Sequence, residues 1–171
     1  MKVVIFGGTG LLGSSINQYL TLNKYNCLIT SKNKKSNLKT DHLSKNTILK
    51  FLKKNKPNII INCVAETNVD LCDADFIHAY KSNVLTVKSI VNSLNELKQN
   101  CSLLHISTDQ VYNSKKINNE KNVNLTNNYA QTKFLSEIEA LKYKKTLIIR
   151  TNFYGKSKSI NRKSFSDHII S

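Results

Sequence analysis

The sequence has no long hydrophobic run, no closely spaced pair of cysteines and almost no arginine. No stretch approaches the roughly 18 to 20 apolar residues that a membrane-spanning helix requires, and the chain starts directly with a strand-like segment where a cleavable signal would stand. The four cysteines contain no C-x-x-C pair, which removes the usual signature of a zinc site or a redox dithiol. We therefore expect a cytoplasmic chain with reduced thiols that binds neither a membrane nor a metal.

The scarcity of arginine bears on the strong positive charge of the chain. The formal net charge is +15 at pH 7, from 26 Lys and Arg against 11 Asp and Glu, yet only Arg150 and Arg162 are arginine. Arginine is the side chain whose planar fork reads phosphate and guanine bidentately, whereas the lysines are spread along the whole sequence. This pattern favours a solvated basic surface over a specific nucleic-acid site, which would reveal itself by salt-dependent association.

What the sequence does contain is an alternation of short apolar runs with longer amphipathic segments. Runs rich in Val and Ile predict strands, and apolar residues at every third or fourth position predict helices. The predicted strands are Val3–Phe6, Cys27–Thr30, a weak one at Asn37–Lys39, Ile59–Asn62, Leu103–Ile106 and Leu147–Arg150; the predicted helices are Leu11–Leu22, Lys45–Lys54, Ala74–Leu97 and Tyr129–Leu141. This order predicts an α/β fold of the Rossmann type, a doubly wound parallel sheet with helices on both faces.

Three glycines join the first predicted strand to the first predicted helix. Gly7, Gly10 and Gly13 are spaced three residues apart, and a tight reversal here allows a diphosphate to approach the backbone and the free N–H groups of the helix. The strand before and the amphipathic helix after are the context that a dinucleotide-binding turn requires. The candidate cofactor-binding residues of this segment are Gly7, Thr9, Gly10, Leu11, Leu12 and Gly13.

The end of the second predicted strand carries no carboxylate. Sites specific for NAD place an acidic residue there to bind the ribose hydroxyls, whereas this chain has Ser31 and Lys32, followed by further lysines. We expect these two residues to bind a 2′-phosphate, which favours NADPH over NADH, although a solvated lysine loop would give the same sequence. Asp41 follows the weak third strand and either meets the adenine or caps the next helix.

Two further segments indicate the reaction. Thr108 follows a buried strand, at the edge where open α/β sheets bind ligands. Tyr129 and Lys133 lie four residues apart on one predicted helix, so the ammonium group is expected to lower the pKa of the phenol toward working pH. In the reduction of a carbonyl group, the phenol would protonate the oxygen, the Thr108 hydroxyl would hydrogen-bond it, and the lysine would also bind the nicotinamide ribose. Such a pair also arises by chance, but its order behind a glycine turn favours a catalytic site.

One histidine and one polar loop have separate expected roles. His105 lies inside a predicted strand and is expected to be a core residue with satisfied hydrogen bonds, because the histidines show no mutual spacing typical of metal ligands. The polar loop Asn113–Asn128 is long enough to be functional and is interpreted as a flap.

These motifs together resemble the extended short-chain dehydrogenase/reductase family, and within it the group of dTDP-4-dehydrorhamnose reductases. Ser107-Thr108-Asp109 matches the S-T-D of that group, and residues 57–70, P-N-I-I-I-N-C-V-A-E-T-N-V-D, resemble its P-D-V-V-I-N-A-A-A-x-T-x-V-D. The resemblance implies that Ala65 and Thr67 line the cofactor cleft and that Asn83 lies beside the cofactor.

The resemblance further implies a reductase that acts on a 4-keto nucleotide sugar with NADPH or NADH. An epimerase or dehydratase would use the same tyrosine and lysine. A non-catalytic subunit would use the fold to bind a dinucleotide or a partner, and an inactive fragment would have no activity. A homodimer and a partner chain are both possible assemblies. Members continue for roughly another 100 residues as a substrate lobe, about one small domain. We expect residues 1–155 to form the dinucleotide-binding domain and residues 156–171 to begin a truncated lobe, in a fragment or in a chain completed by a partner.

Overall fold

A computed structural model describes most of the chain and confirms the predicted fold. It covers residues 1–31, 36–39, 44–112, 118–155 and 166. The candidate residues Lys32 and Asp41, the first part of the predicted flap and nearly all of residues 156–171 lie outside the described residues.

Six parallel strands form one sheet in the order β3-β2-β1-β4-β5-β6. The strands are β1 Lys2–Phe6, β2 Asn26–Ser31, β3 Leu38–Lys39, β4 Ile59–Asn62, β5 Ser102–Thr108 and β6 Thr146–Thr151. The helices are α1 Leu11–Leu22, α2 Lys45–Asn55, α3 Val69–Ala74, α4 Phe76–Tyr80, α5 Thr86–Leu97 and α6 Asn128–Ala140, with a π-helical turn at Lys81–Leu85 and a 3₁₀ turn at Asp109–Val111. Because the strand order reverses between β1 and β4, the carboxyl ends of these strands border the crevice in which such sheets bind ligands.

Both faces of the sheet are covered, as the continuous hydrophobicity of the strands predicts. On one face Val4 and Phe6 pack against the side chains of α2 and α5, which include Leu52 and Leu94. On the other face Val3 and Ile5 pack against α1. Each fully buried aliphatic side chain of this kind contributes about 1.5 to 3 kcal/mol. No helix in the described part of the chain has both the length and the apolar character needed to cross a membrane.

The prediction of a single helix over Ala74–Leu97 is wrong, because the chain leaves helical geometry at Asp75. That residue has φ −137° and ψ 83°, and its carboxylate accepts a hydrogen bond from the backbone N–H of His78 at 2.9 Å, which caps α4. Helix α3 precedes this break, and the π-helical turn separates α4 from α5. The apolar stripe continues across both interruptions, so periodicity alone does not reveal them.

The low glycine content has a structural consequence at two helix ends. Lys56 and Lys98 follow α2 and α5 with φ of 47° and 48°, in the left-handed region that glycine usually occupies. Each donates its backbone N–H to a carbonyl one turn earlier in its helix, Leu52 or Leu94. A lysine in this conformation costs about 1 to 2 kcal/mol. The chain therefore carries removable backbone strain at these positions.

Replacing Lys98 by glycine is expected to raise the free energy of unfolding by about 0.5 to 1 kcal/mol. The relief of the left-handed strain exceeds the additional backbone entropy that glycine loses on folding, about 0.5 to 1 kcal/mol. The matched control is Lys88→Gly, at an exposed position inside α5, which is expected to lower the free energy of unfolding by about 1 kcal/mol. Urea unfolding followed by circular dichroism measures both; destabilisation of equal size would contradict the assignment of strain to Lys98.

Candidate active site

The glycine turn is fixed between β2 and β4 at the carboxyl end of β1. The backbone N–H groups of Gly7 and Gly8 both donate to the carbonyl oxygen of Thr30, at 3.0 and 3.1 Å. Gly7 has φ +78°, and a Cβ there would lie 3.0 Å from the carbonyl carbon of Cys63. The turn therefore needs a residue without a side chain, and it packs directly against the segment that follows β4.

The first turn of α1 presents free backbone N–H groups at this edge of the sheet. A Cβ on Gly13 would lie 2.3 Å from the carbonyl oxygen of Gly7, so the helix start and the turn can approach this closely only with glycine. The helix begins at Leu11 with no side-chain cap and no acidic residue in its first turn. The N–H groups of Leu11, Leu12 and Gly13 precede the first intrahelical bond, from Ser14 to Gly10. At the positive end of a helix, such groups fit the diphosphate of a dinucleotide.

The three candidate catalytic residues lie together at the carboxyl end of β5. Thr108 is the last residue of that strand and is 4% exposed, and Tyr129 in the first turn of α6 is 8% exposed and lies near it. Lys133, one turn further along, is 3% exposed and donates from Nζ to the carbonyl oxygen of Ile106 at 2.7 Å. The side chain of Asn127 caps the helix by accepting from the Ala130 N–H. The structure thus brings these three residues into one cluster.

The electrostatics of this cluster differ from the expectation. Burial raises the pKa of Tyr129 above its usual value, while the hydrogen bond with Thr108 acts in the opposite direction and the nearby Cys72 and Asp109 raise it further. The expectation that Lys133 lowers the pKa of this phenol is wrong for the described structure, because the ammonium group is directed to a backbone carbonyl. The phenol therefore keeps its proton at neutral pH, which suits a proton donor.

The π-helical turn places Asn83 beneath the loop that follows β4. This asparagine is 0% exposed. Its Oδ1 accepts from the backbone N–H of Glu66 at 2.7 Å, and its Nδ2 donates to Thr132 Oγ1 at 3.0 Å. Ala65 and Thr67 flank Glu66, and Thr67 is exposed. Asn83 therefore ties this loop to α6, a role that its sequence context alone does not reveal.

His105 is a buried core residue with both ring nitrogens bonded, as predicted. Asn62 Oδ1 accepts from the Val64 N–H at 3.2 Å, so the amide nitrogen of Asn62 faces His105 Nδ1 at 3.1 Å. His105 Nε2 therefore carries the proton and donates to Ser136 Oγ at 2.9 Å, and Ser136 donates to the carbonyl oxygen of Lys133 at 2.6 Å. Burial and then the charge of Lys133 hold the pKa of His105 well below its usual value.

Sequence reasoning missed several residues of this cluster, of which Glu137 is the most informative. It lies four residues after Lys133 on the buried face of α6, is 3% exposed, and pairs with Arg150 of β6. The spacing of the predicted tyrosine and lysine, extended by one more turn, was the available signal. Ser31 lies half-buried at the end of β2. Across the described parts of the chain, no three His, Cys, Asp or Glu side chains converge as a metal site.

Comparison with known proteins finds a family model and relatives that cover most of this chain. Residues 1–169 match the family model described as RmlD substrate binding domain. A dTDP-4-dehydrorhamnose reductase from Aggregatibacter actinomycetemcomitans is 28% identical over 157 residues, which are 89% of this chain and 51% of the relative. The chain thus spans about half the length of that relative.

Two solved structures extend the comparison to three dimensions. A dTDP-4-dehydrorhamnose reductase from Clostridium acetobutylicum has a TM-score of 0.83 at 28% identity, and the match covers 99% of this chain and 58% of the other. A dTDP-4-dehydrorhamnose reductase from Bacillus anthracis in complex with NADP has a TM-score of 0.76 at 24% identity, over 87% of this chain and 52% of the other.

The neutral state of His105 predicts a loss of stability in mild acid. In the unfolded chain this histidine titrates near pH 6.5, whereas in the fold its pKa lies well below. Between these two values the unfolded state binds the additional proton, so the free energy of unfolding falls as the pH falls, by up to about 1.4 kcal/mol per pH unit. Lys133, whose pKa is about 8 in the fold, is protonated in both states in this window and contributes nothing to the slope.

Urea unfolding at about pH 7 and about pH 5.5 measures this effect. His105→Asn is expected to flatten the slope of stability against pH, and His78→Asn, at an exposed histidine, is the matched control that should keep it. An equal slope in the original chain and in His105→Asn would show that another group causes the acid loss.

Proposed function

This chain belongs to the RmlD substrate binding domain family, and from that premise we propose that it reduces a 4-keto nucleotide sugar with NADPH. The observation that carries the proposal is the cluster of Thr108, Tyr129 and Lys133 at the sheet edge that also holds the glycine turn. The relatives named as dTDP-4-dehydrorhamnose reductases support this substrate class. We also assign residues 1–155 to the dinucleotide-binding domain and residues 156–171 to the start of the substrate lobe.

The residues of the glycine turn fit the proposed cofactor. The N–H groups at the start of α1 would hold the diphosphate, and Ala65 and Thr67 would line the cleft beside it. Ser31 and Lys32 would bind the 2′-phosphate, since no carboxylate at the end of β2 repels it. The related structure from Bacillus anthracis that holds NADP supports this choice. When bound, the cofactor supplies a hydride.

The side chains of the cluster have different roles in the proposed reduction. Tyr129, whose raised pKa keeps the phenol protonated, donates its proton to the carbonyl oxygen of the substrate. The hydroxyl of Thr108 hydrogen-bonds the same oxygen as negative charge develops on it. Lys133 stands one helical turn from Tyr129 and would bind the nicotinamide ribose.

Titration of the purified chain with NADPH, followed by the fluorescence of the cofactor, tests the binding half of the proposal. We expect binding, with weaker affinity for NADH. Gly13→Val is expected to weaken binding by about 100-fold, since the turn must move by an ångström or more to admit the side chain. Ser15→Val, at an exposed position of the same helix, is the matched control and should bind as the original chain does. A folded Gly13→Val chain that binds with unchanged affinity would exclude the turn as the site.

Oxidation of NADPH in the presence of dTDP-4-dehydrorhamnose, followed by absorbance, tests the chemical half. Tyr129→Phe is expected to lower the rate by about 10² to 10⁴ with little change in NADPH affinity, because only the proton donor is lost. Tyr19→Phe, at a tyrosine that is 67% exposed, should react at the original rate. An unchanged rate in Tyr129→Phe would remove the phenol from the mechanism. Cofactor binding by the original chain without turnover would identify it as a dinucleotide-binding unit and overturn the reductase proposal.

A further inference from the structure

We propose that Glu137, held in place by Arg150, is a positioning residue that supplies the negative charge for Lys133 beneath the active-site cluster. The role of Lys133 in catalysis rests on the function proposed above, whereas its charge and position do not. The pair lies outside the three residues that contact substrate or cofactor, so its effect is exerted through Lys133.

Glu137 is a carboxylate inside the protein with a full set of donors. It follows Lys133 by four residues, so the two side chains share one face of α6. Its side chain is 4% exposed. Arg150 donates from Nη2 to Oε2 at 2.6 Å and from Nε to Oε1 at 2.9 Å, and Ser107, the neighbour of Thr108, donates its hydroxyl to Oε1. The carboxylate therefore connects α6 to the ends of β5 and β6.

The guanidinium group of Arg150 makes further contacts besides this ion pair. Its Nη1 donates to the Tyr112 hydroxyl at 2.7 Å and to the carbonyl oxygen of Glu120 at 3.0 Å, and the group lies 5.0 Å from the centre of the Tyr112 ring. A lysine ammonium group cannot make these planar, divergent contacts. In a sequence whose basic residues are almost all lysine, an arginine at this position indicates that the forked geometry is required.

Lys133 depends on a neighbouring anion because it is fully buried. Burial lowers the pKa of this lysine to about 8, and Glu137 is the first of the groups that raise it, followed by Cys63. Burial raises the pKa of the Cys63 thiol to about 12, so that group is uncharged at neutral pH. On β5, His105 faces Lys133 as a neutral ring. Of the groups that raise the pKa of Lys133, Glu137 is therefore the one that carries a negative charge.

Two other acidic residues act on the beginning of α6. Asp73 of α3 accepts from the Asn128 N–H at 2.8 Å, and Asp109 acts on Tyr129. Neither is among the groups that shift the pKa of Lys133.

Two possible roles of Glu137 predict shifts of the Lys133 pKa of opposite sign: one acts through its charge and the other is merely structural. Loss of the charge lowers the pKa of Lys133, whereas loosening of the packing admits water and raises it toward its usual value.

Nuclear magnetic resonance of the chain labelled with ¹³C at the lysine Cε atoms measures the titration midpoint of Lys133 directly, with Lys133→Met to assign the signal. In Glu137→Gln the midpoint is expected to fall by about one pH unit or more. Glu139→Gln is the matched control on the same helix, since Glu139 pairs with Lys142 at the surface, and it should leave the midpoint unchanged. A midpoint in Glu137→Gln that is unchanged or higher would overturn the proposal.

A second pair of variants covers the case in which Glu137→Gln does not fold. Arg150→Lys and Arg150→Gln both lose the forked contacts, but only the second loses the charge. Without a cation beside it, Glu137 acts more strongly on Lys133, so the midpoint in Arg150→Gln is expected to lie above that in Arg150→Lys. Equal midpoints in the two variants would overturn the proposal.

The same samples separate this proposal from the proposed function. The midpoint of Lys133 is measured without cofactor, and NADPH binding is then titrated on the same chains. If Glu137→Gln lowers the Lys133 midpoint but the original chain does not bind NADPH, the proposed function alone is contradicted. If the original chain binds NADPH but Glu137→Gln leaves the Lys133 midpoint unchanged, the positioning role alone is contradicted.

Discussion

The burial of one ammonium group, that of Lys133, is the constraint on which the rest of the site depends. A lysine that is 3% exposed loses most of its hydration, and such a charge persists only where the protein supplies acceptors and an opposite charge. The Ile106 carbonyl supplies the acceptor, and Glu137 supplies the charge. That carboxylate is itself buried and needs Arg150. Each partner thus requires the next, and the series ends at the surface near Tyr112.

A second set of contacts fixes the backbone of the same helix turn. The hydrogen bonds from Asn62 through His105 and Ser136 end on the carbonyl oxygen of Lys133 itself. These bonds orient the helix, whereas the ion pair acts on the charge of the side chain. His105 must stay neutral to accept from the Asn62 amide at Nδ1 while it donates from Nε2. The fixed helix position is therefore obtained at the cost of stability in mild acid.

The sequence predicts the strands and the glycine turn well, because both depend on local patterns. β1, β2, β4, β5 and β6 each contain a short run of mainly apolar residues. The spacing of Gly7, Gly10 and Gly13 specifies a turn whose close contacts are visible in the structure. The break at Asp75 and the π-helical turn escape prediction, because neither interrupts the apolar period. The contacts of Asn62, Ser136 and Glu137 escape it as well, because their partners are distant in sequence.

The cluster also shows why spacing alone gave the wrong sign for Tyr129. A separation of four residues places a lysine on the same helix face but does not state which acceptor its ammonium group chooses, and here it chooses the carbonyl of β5. The two pKa values therefore differ from those that attraction between the phenol and the ammonium group would produce. Burial raises the pKa of the phenol and lowers that of the lysine to about 8. A neutral phenol and a charged lysine are then the main state below about pH 8. As the pH rises further, the lysine loses its proton first, so the proposed reduction would depend above about pH 8 on Lys133 and, through it, on the carboxylate of Glu137.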